Sequence, residues 1–335
     1  MNPIENSTKE ATRMNAIVYT KYGSPDVLKL MEVEKPSPKN NEVLVKIQAT
    51  TVNRTDCGYR TAKPFIMRFF SGLFRPKNTI LGTEFAGEVR EIGKDISLFK
   101  PGDQVFGLSC DSLGAHAEYI CLPEDGSIAT MPSNMTHEQA VAVCEGPWLA
   151  LNVLRQMNIQ KGQKILINGA TVSIGSSAVQ LATYYGAEIT ATCNAENIEL
   201  VKSLGASEVI NYTKNDFTKS EKLYDFVFDA VGKSSFFRCK KLLKKNGIYV
   251  STELGYLSQN VFLALLTPIA GGKKVLFPIP KDTKDDILFF KELAETGRLK
   301  PVIDRRYSLD QIAEAYRYVE KGQKIGNVII LIQNQ

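Results

Sequence analysis

The chain has 335 residues, 44% of them hydrophobic, which is more than one core ordinarily organises and enough to fill two. Its 41 Lys and Arg against 36 Asp and Glu leave a net charge of +5 without a basic stripe, which suits an anionic small molecule and excludes a nucleic-acid groove. Six cysteines with no C-x-x-C pair, and only two histidines, point to a reducing compartment and argue against a histidine triad or a zinc site of local ligand spacing.

Residues 1–13, MNPIENSTKEATR, lack the apolar stretch of a signal peptide and read as a lead before Met14, so a cytoplasmic location is expected. From residue 15 to about 132 the signals are short β-runs, at 42–49, 84–89, 104–106 and 116–121, with Pro101-Gly102-Asp103 marking a turn. His116 alternates with apolar neighbours as a strand residue would. Between these runs, residues 61–79 are Phe-rich and suit an apolar pocket, a dimer surface or a helix buried on the first domain.

From about residue 136 helices and strands alternate. Residues 164–168 form a short apolar run suited to a strand buried on both faces, and the chain turns at Gly169 into a helix. Ile174, Ala178, Leu181, Ala182 and Tyr185 make one apolar face of that helix, and Gly186 stands where a left-handed C-cap would end it. A strand at 189–193, a helix at 197–204 closed by Gly205, and strands at 208–212, 224–231, 247–252 and 275–280 follow. Lys240, Lys241, Lys244 and Lys245 flank Leu242 and Leu243 as the solvated face of a predicted helix. The most apolar stretch, 261–270, contains Pro268 and falls well short of the ~20 residues a bilayer requires, so no membrane span is expected. Helices at 284–296 and 309–321 lead to a strand at 327–332 that returns to the first domain. The fold class is α/β, a Rossmann-type doubly wound parallel sheet over 136–281 beside a mostly β substrate domain over 1–135, which residues 282–335 complete. A cleft between the two would hold a cofactor's reactive end against substrate.

The strand–turn–helix at 164–185 is a dinucleotide-binding pattern whose orthodox form has small residues at 170, 172 and 175. Ala170 and Gly175 comply. Val172 does not, and the hydroxyls of Thr171 and Ser173 with the free N–H groups of the helix start are expected to take over part of the phosphate contact. At the end of the second strand, Cys193 or Asn194 stands where an NAD-binding carboxylate would, so nothing there repels a 2′-phosphate, and Asn194, Asn197 and Tyr212 are its expected partners. Glu196 lies beyond that end, and the expected cofactor is NADPH.

Seven stretches carry a family resemblance: VNRTDCGYR (52–60), ILGTEFAGEV (80–89), IGKD (92–95), FKPGDQVFG (99–107), AHAEYI (115–120), NGATVSIGSSAVQLA (168–182) and YDFVFDAVG (224–232). With them the chain from Met14 resembles the medium-chain dehydrogenase/reductase superfamily, in the zinc-free quinone oxidoreductase branch. The resemblance implies a GroES-like substrate domain and NADPH-dependent hydride transfer to a quinone or an α,β-unsaturated carbonyl. Asn53 and Thr83 stand where zinc-dependent members place a cysteine and a histidine, and the four-cysteine structural lobe is missing, so no metal is expected. Asn53 is the implied oxyanion donor, with Tyr59 as proton donor or pocket wall. Asp56 and Glu84 read as hydrogen-bonded architecture with Arg60 or Arg54 as partner. The cofactor set comprises Gly169, Ala170, Thr171, Val172, Ser173, Ile174, Gly175, Asn194, Asn197, Tyr212, Val231 and Asn327. Leu149 and Asn327 depart from a threonine and a lysine common in relatives. Two alternatives stay open: an alcohol dehydrogenase-like enzyme on simple alcohols, or a nucleotide-binding regulatory protein without turnover. Pairing of two copies into a homodimer is also left open.

Overall fold

The computed structural model describes residues 12–63, 65 and 67–332. The expected lead lies, up to residue 11, outside them. Three sheets organise the rest. Strands β1 (Arg13–Val18) and β2 (Lys29–Glu34) pair antiparallel by themselves. A seven-stranded sheet is built from β3 (Glu42–Val52), β4 (Glu84–Ile92), β5 (Gln104–Leu108), β6 (Tyr119–Pro123) and β7 (Ile128–Thr130), joined late in the chain by β14 (Ile303–Ser308) and β15 (Asn327–Leu331). Its order is β14-β15-β3-β4-β5-β7, with β6 also on β3.

The third sheet is parallel throughout: β8 (Lys164–Asn168), β9 (Glu188–Cys193), β10 (Glu208–Asn211), β11 (Tyr224–Asp229), β12 (Leu243–Ser251) and β13 (Lys274–Leu276). The order β10-β9-β8-β11-β12-β13 is that of a Rossmann fold, whose ligands bind outside the carboxyl ends of the strands where the order reverses, here between β8 and β11. Ile165, Leu166 and Ile167 are fully buried, as a central strand covered on both faces requires.

The helices are α1 (Arg54–Thr61), α2 (Met67–Ser71), α3 (His137–Val141), α4 (Glu145–Met157), α5 (Ser173–Tyr184), α6 (Ile198–Ser203), α7 (Phe236–Cys239), α8 (Gln259–Ala270), α9 (Lys284–Glu295) and α10 (Ile312–Glu320). Helix α5 buries Ala178, Leu181 and Ala182 and ends as read, with Gly186 left-handed at φ 75°. One apolar core runs from Ala49, Ala86 and Phe106 of the larger sheet through α3 and α4 to β8 and β9, so the two halves pack on each other.

Three local expectations are corrected. Residues 240–245 form a 3-10 turn and then the start of β12, because Leu243 pairs with Tyr224 and Lys244 reaches Asp225 at 2.7 Å, which overrides the helical spacing. The strand expected over 275–280 stops at Leu276, since Pro278 and Pro280 lack the N–H a ladder needs. His116 lies outside β6 and is fully buried, with its Nε2–H donating to the Thr51 carbonyl at 2.8 Å. Among the described residues no helix is long and apolar enough to cross a membrane.

Candidate active site

The turn between β8 and α5 depends on two glycines. Gly169 adopts φ 85°, and a Cβ on Gly175 would lie 2.0 Å from the Gly169 carbonyl oxygen, so the helix starts closer to the strand than any side chain permits. Val172 is the N-cap, and its branched side chain is half-buried against the core. The N–H groups of Ser173, Ile174 and Gly175 have no partner among the described residues and stand at the positive end of a twelve-residue helix.

The last strand reaches into this turn. Gly326 N donates to the Thr171 carbonyl at 2.6 Å, Val172 and Gly326 form a parallel bridge, and the Ser173 hydroxyl donates to Asn327 Oδ1 at 2.7 Å. Asn327 is therefore structural toward α5, and it also donates to the Ala142 and Val302 carbonyls. The Ser173 hydroxyl, expected at a phosphate, is engaged; that of Thr171 is not. Val231 lies over the turn, its Cγ1 2.4 Å from where a Gly169 Cβ would be.

Strand β9 ends at Cys193, as read from the sequence. Asn194 caps a 3-10 turn over Ala195–Asn197 and accepts a hydrogen bond from the Asn197 amide, leaving its own Nδ2 and the half-exposed Tyr212 hydroxyl unengaged. Glu196 is exposed on that turn. Behind the glycines, Thr192 Oγ1 accepts from Gly169 N and donates to Asn168, whose amide donates to Asp229 at 2.9 Å.

In the other half of the chain, Asn53 opens α1. Its Oδ1 accepts from Asp56 N at 2.9 Å while Asp56 accepts from Asn53 N at 3.1 Å, a reciprocal capping box. The Asn53 Nδ2 donates to the Thr83 hydroxyl at 2.8 Å. Asp56 also accepts from Gly82 N, and Glu84 accepts from the Thr51 hydroxyl and from Glu145 N at 2.7 Å. The arginine partners expected for these carboxylates are corrected: buried Arg60 reaches Glu320 and the Gly23 carbonyl, and Arg54 pairs with Glu253 of the nucleotide-binding half at 3.2 Å. Backbone N–H groups and hydroxyls satisfy the carboxylates instead. Tyr59 is half-buried near Cys110 and Asp111, and burial raises its pKa, so it keeps its proton at neutral pH.

Glu84 and Glu145 are both shielded from water, with Lys324 the cation facing them. Burial, with the neighbouring Glu145 charge, pushes the Glu84 pKa up to about 8, and burial raises that of Glu145 and lowers that of Lys324. Burial also takes His116 down to about 4, so its ring is neutral. An unfolded glutamate releases its proton near 4.5, so from there to about pH 8 the folded state holds one proton more. The stability due to this proton is full below the lower value and declines as pH rises through the upper. Melting temperatures of the wild type should therefore fall relative to Glu84→Gln across that window. Parallel curves for the two proteins would place the Glu84 ionisation in the ordinary range.

Two family profiles match the chain: an alcohol dehydrogenase GroES-like domain over residues 39–133 and a zinc-binding dehydrogenase over residues 204–330. A chloroplastic quinone oxidoreductase of Triphysaria versicolor is 33% identical, covering 95% of this chain and 98% of its own. The 2-methylene-furan-3-one reductase of Solanum lycopersicum is 32% identical over 95% of this chain and 79% of its own. Among solved structures, the quinone oxidoreductase from Coxiella burnetii has a TM-score of 0.86 at 26% identity, over 96% of this chain and 100% of that one. The chain belongs to the medium-chain dehydrogenase/reductase superfamily, in its quinone oxidoreductase-like branch. As a medium-chain dehydrogenase/reductase it is a nicotinamide-dependent oxidoreductase, and its fold is the GroES-like plus Rossmann pair described above.

One profile, that over residues 204–330, is named for zinc, but the corner where the resemblance puts zinc ligands lies outside that match, and its donor set does not fit the ion. Asn53 and Thr83 offer a carboxamide and a hydroxyl already bonded to each other, and no group of three or more His, Cys, Asp or Glu among the described residues could hold a metal. Several site residues escaped the sequence reading. Asn168, Thr192 and Asp229 lie at or next to the carboxyl ends of parallel strands, a signal that could have found them. Glu145 and Lys324 had none, because only the fold brings them to Glu84.

Proposed function

We propose that the protein reduces a quinone or an α,β-unsaturated carbonyl with NADPH and without a metal. The observation that carries this reading is the pairing of an open glycine turn at β8–α5 with a buried donor corner, Asn53 and Thr83, that offers hydrogen bonds in place of metal ligands. The relatives named as quinone and enone reductases support the substrate class.

The nicotinamide, when bound, supplies a hydride to the electrophilic carbon conjugated to the substrate carbonyl. The chain's task is to place that carbonyl and hold the charge that arrives on its oxygen. Asn53 is pinned by its capping role, and its Nδ2–H polarises the Thr83 hydroxyl, so one preorganised pair faces the developing oxyanion. Tyr59, kept protonated by burial, supplies the proton. The N–H groups of Ser173, Ile174 and Gly175 and the Thr171 hydroxyl hold the phosphates, with Ala170, Gly169 and Val231 shaping the turn. Asn194 and Tyr212 face the 2′-phosphate, with buried Asn197 holding Asn194 in place, where no carboxylate ends β9. The strap from Gly326 and Asn327 onto the turn favours one second reading, a nucleotide-binding protein without turnover.

Fluorescence titration should show tighter binding of NADPH than of NADH, and turnover of a quinone or enone should survive exhaustive chelation. Equal or tighter NADH binding would put Glu196 on the ribose. Nucleotide binding with no reduction of either substrate class would leave the second reading, and activity lost to chelator together with stoichiometric zinc would overturn the metal-free route.

A further inference from the structure

Thr51, Asn53 and Thr55 stand two residues apart, and each reaches a residue far along the chain. The Thr51 hydroxyl donates to Glu84, the Asn53 amide to Thr83 at 2.8 Å and the Thr55 hydroxyl to Glu145 at 2.8 Å. Glu145 N also donates to Glu84 at 2.7 Å, so the two carboxylates lie next to the donor corner. They are 1% and 3% exposed, and every one of these donors is neutral. In an interior of low dielectric, a carboxylate met only by neutral donors keeps its field and opposes negative charge arriving nearby.

The cation facing the pair is Lys324, in the loop before β15, itself 7% exposed. Burial lowers its pKa, and the charges that oppose this are Glu145 first, then Glu84 and Asp304. Its ammonium makes one hydrogen bond among the described residues, to the Gly326 carbonyl at 2.5 Å. Gly326 is the residue whose N–H clamps the Thr171 carbonyl, and a Cβ on it would lie 2.1 Å from the Val302 carbonyl oxygen. Asn327 donates to the Ala142 carbonyl, three residues before Glu145, and a Cβ on Gly146 would lie 2.1 Å from the Ser173 hydroxyl oxygen. Lys324 therefore stands where the strap, the start of α4 and the start of α5 come together.

We propose that Lys324 is a positioning residue for the reduction: its ammonium cancels the Glu145 charge beside the Asn53–Thr83 corner, and its bond to Gly326 holds the strap on the nucleotide turn. This rests on the reading of that corner as the place where the oxyanion develops. With the proton that Glu84 keeps up to about pH 8, one ammonium leaves the carboxylate pair neutral. None of the other titratable groups around the pair supplies a positive charge. Burial keeps the Cys57, Cys110 and Cys144 thiols protonated, Asp56 accepts from the Asn53 and Gly82 N–H groups, and Asp304 accepts from Ile325 N and the Tyr318 hydroxyl.

Two variants separate the roles. Lys324→Met removes the charge and the donor, and Lys324→Met with Glu145→Gln removes both members of the charge pair. At about pH 8 the single variant should lose at least about tenfold in kcat for an enone, and the double variant should recover most of that loss. At about pH 6 the loss in the single variant should shrink to about threefold, because Glu145 without its cation takes up a proton. NADPH affinity should fall by about three- to tenfold in both variants alike, since both lack the donor to Gly326. A residue that only fills space would not be rescued by neutralising a distant carboxylate. Should Lys324→Met fail to fold, Lys324→Gln, which still offers a donor to Gly326, should show the same loss of kcat with NADPH affinity within about twofold of the wild type. Wild-type kcat in the single variant at pH 8, a double variant no better than the single, or unchanged NADPH affinity in both overturns the proposal, as does wild-type kcat in Lys324→Gln. A wild type that reduces neither an enone nor a quinone overturns the functional reading itself, a result visible before any variant is made.

Discussion

Gly175→Ala is expected to abolish tight nucleotide binding. The added methyl would stand 2.0 Å from the Gly169 carbonyl oxygen and 3.0 Å from Ala170 Cα, and both are backbone, so no side-chain rotation relieves the contact. The start of α5 must then move off the end of β8. Overpacking of this kind typically costs about 1–3 kcal/mol, and here the displacement falls on the N–H groups that meet the phosphates. NADPH affinity should fall by at least about a hundredfold, some 2.7 kcal/mol, with a lower melting temperature. Gly58→Ala makes the contrast: inside α1 its nearest neighbour is the Lys63 carbonyl at 3.9 Å, so that change should stabilise by about 0.5–1 kcal/mol. A Gly175→Ala protein whose NADPH affinity stays within about twofold of the wild type would mean that the phosphates do not sit on this turn.

The second large effect is expected at Asn53, where two roles share one side chain. Its oxygen caps α1 and its amide donates to Thr83. Asn53→Ser keeps a capping oxygen and removes the amide donor, whereas Asn53→Ala removes both, and loss of the cap alone costs about 1 kcal/mol of stability. If the Asn53–Thr83 pair holds the developing oxyanion, Asn53→Ser should lower kcat for an enone by about 100- to 1000-fold in a protein of nearly unchanged stability and NADPH affinity. A quinone accepts hydride more readily and should lose less. A kcat within about twofold of the wild type for both substrates, roughly 0.4 kcal/mol of barrier, would reduce Asn53 to a helix cap.

The nucleotide half was legible because its information is local. A buried β8, the glycine at 169, the face of α5 and the C-cap at Gly186 each follow from residues a few places apart, and β9 ends where its composition changes at Asn194. The substrate half was legible in its strands and not in its chemistry. Arg54 and Arg60 sit beside Asp56 in sequence, yet both point away from it, and the carboxylates are met by the Gly82 and Glu145 N–H groups instead. Such contacts join residues tens of positions apart and leave no periodic trace. The lysine run at 240–245 misled for a related reason: its spacing fits a helix, and strand pairing with β11 decides otherwise. Of the readings of the Phe-rich segment, the structure disfavours the buried helix, since Phe65, Phe69 and Phe74 are exposed.

The strap formed by β15 bears on how the protein is made. Val328 pairs with Val52, nearly the whole chain away, and Gly326 closes on the turn at Thr171. During synthesis the larger sheet therefore lacks its β14–β15 edge, and the glycine turn its clamp, until the segment around residue 330 has left the ribosome. Contacts of such sequence separation form late and slowly, because the loop entropy must be met before any of them stabilises the chain. Until then the last four residues of β3, 49–52, present an unpaired backbone edge beyond the stretch that β6 covers, the kind of surface that associates with other chains. Two domains that look separable on paper are thus completed together, by one short strand.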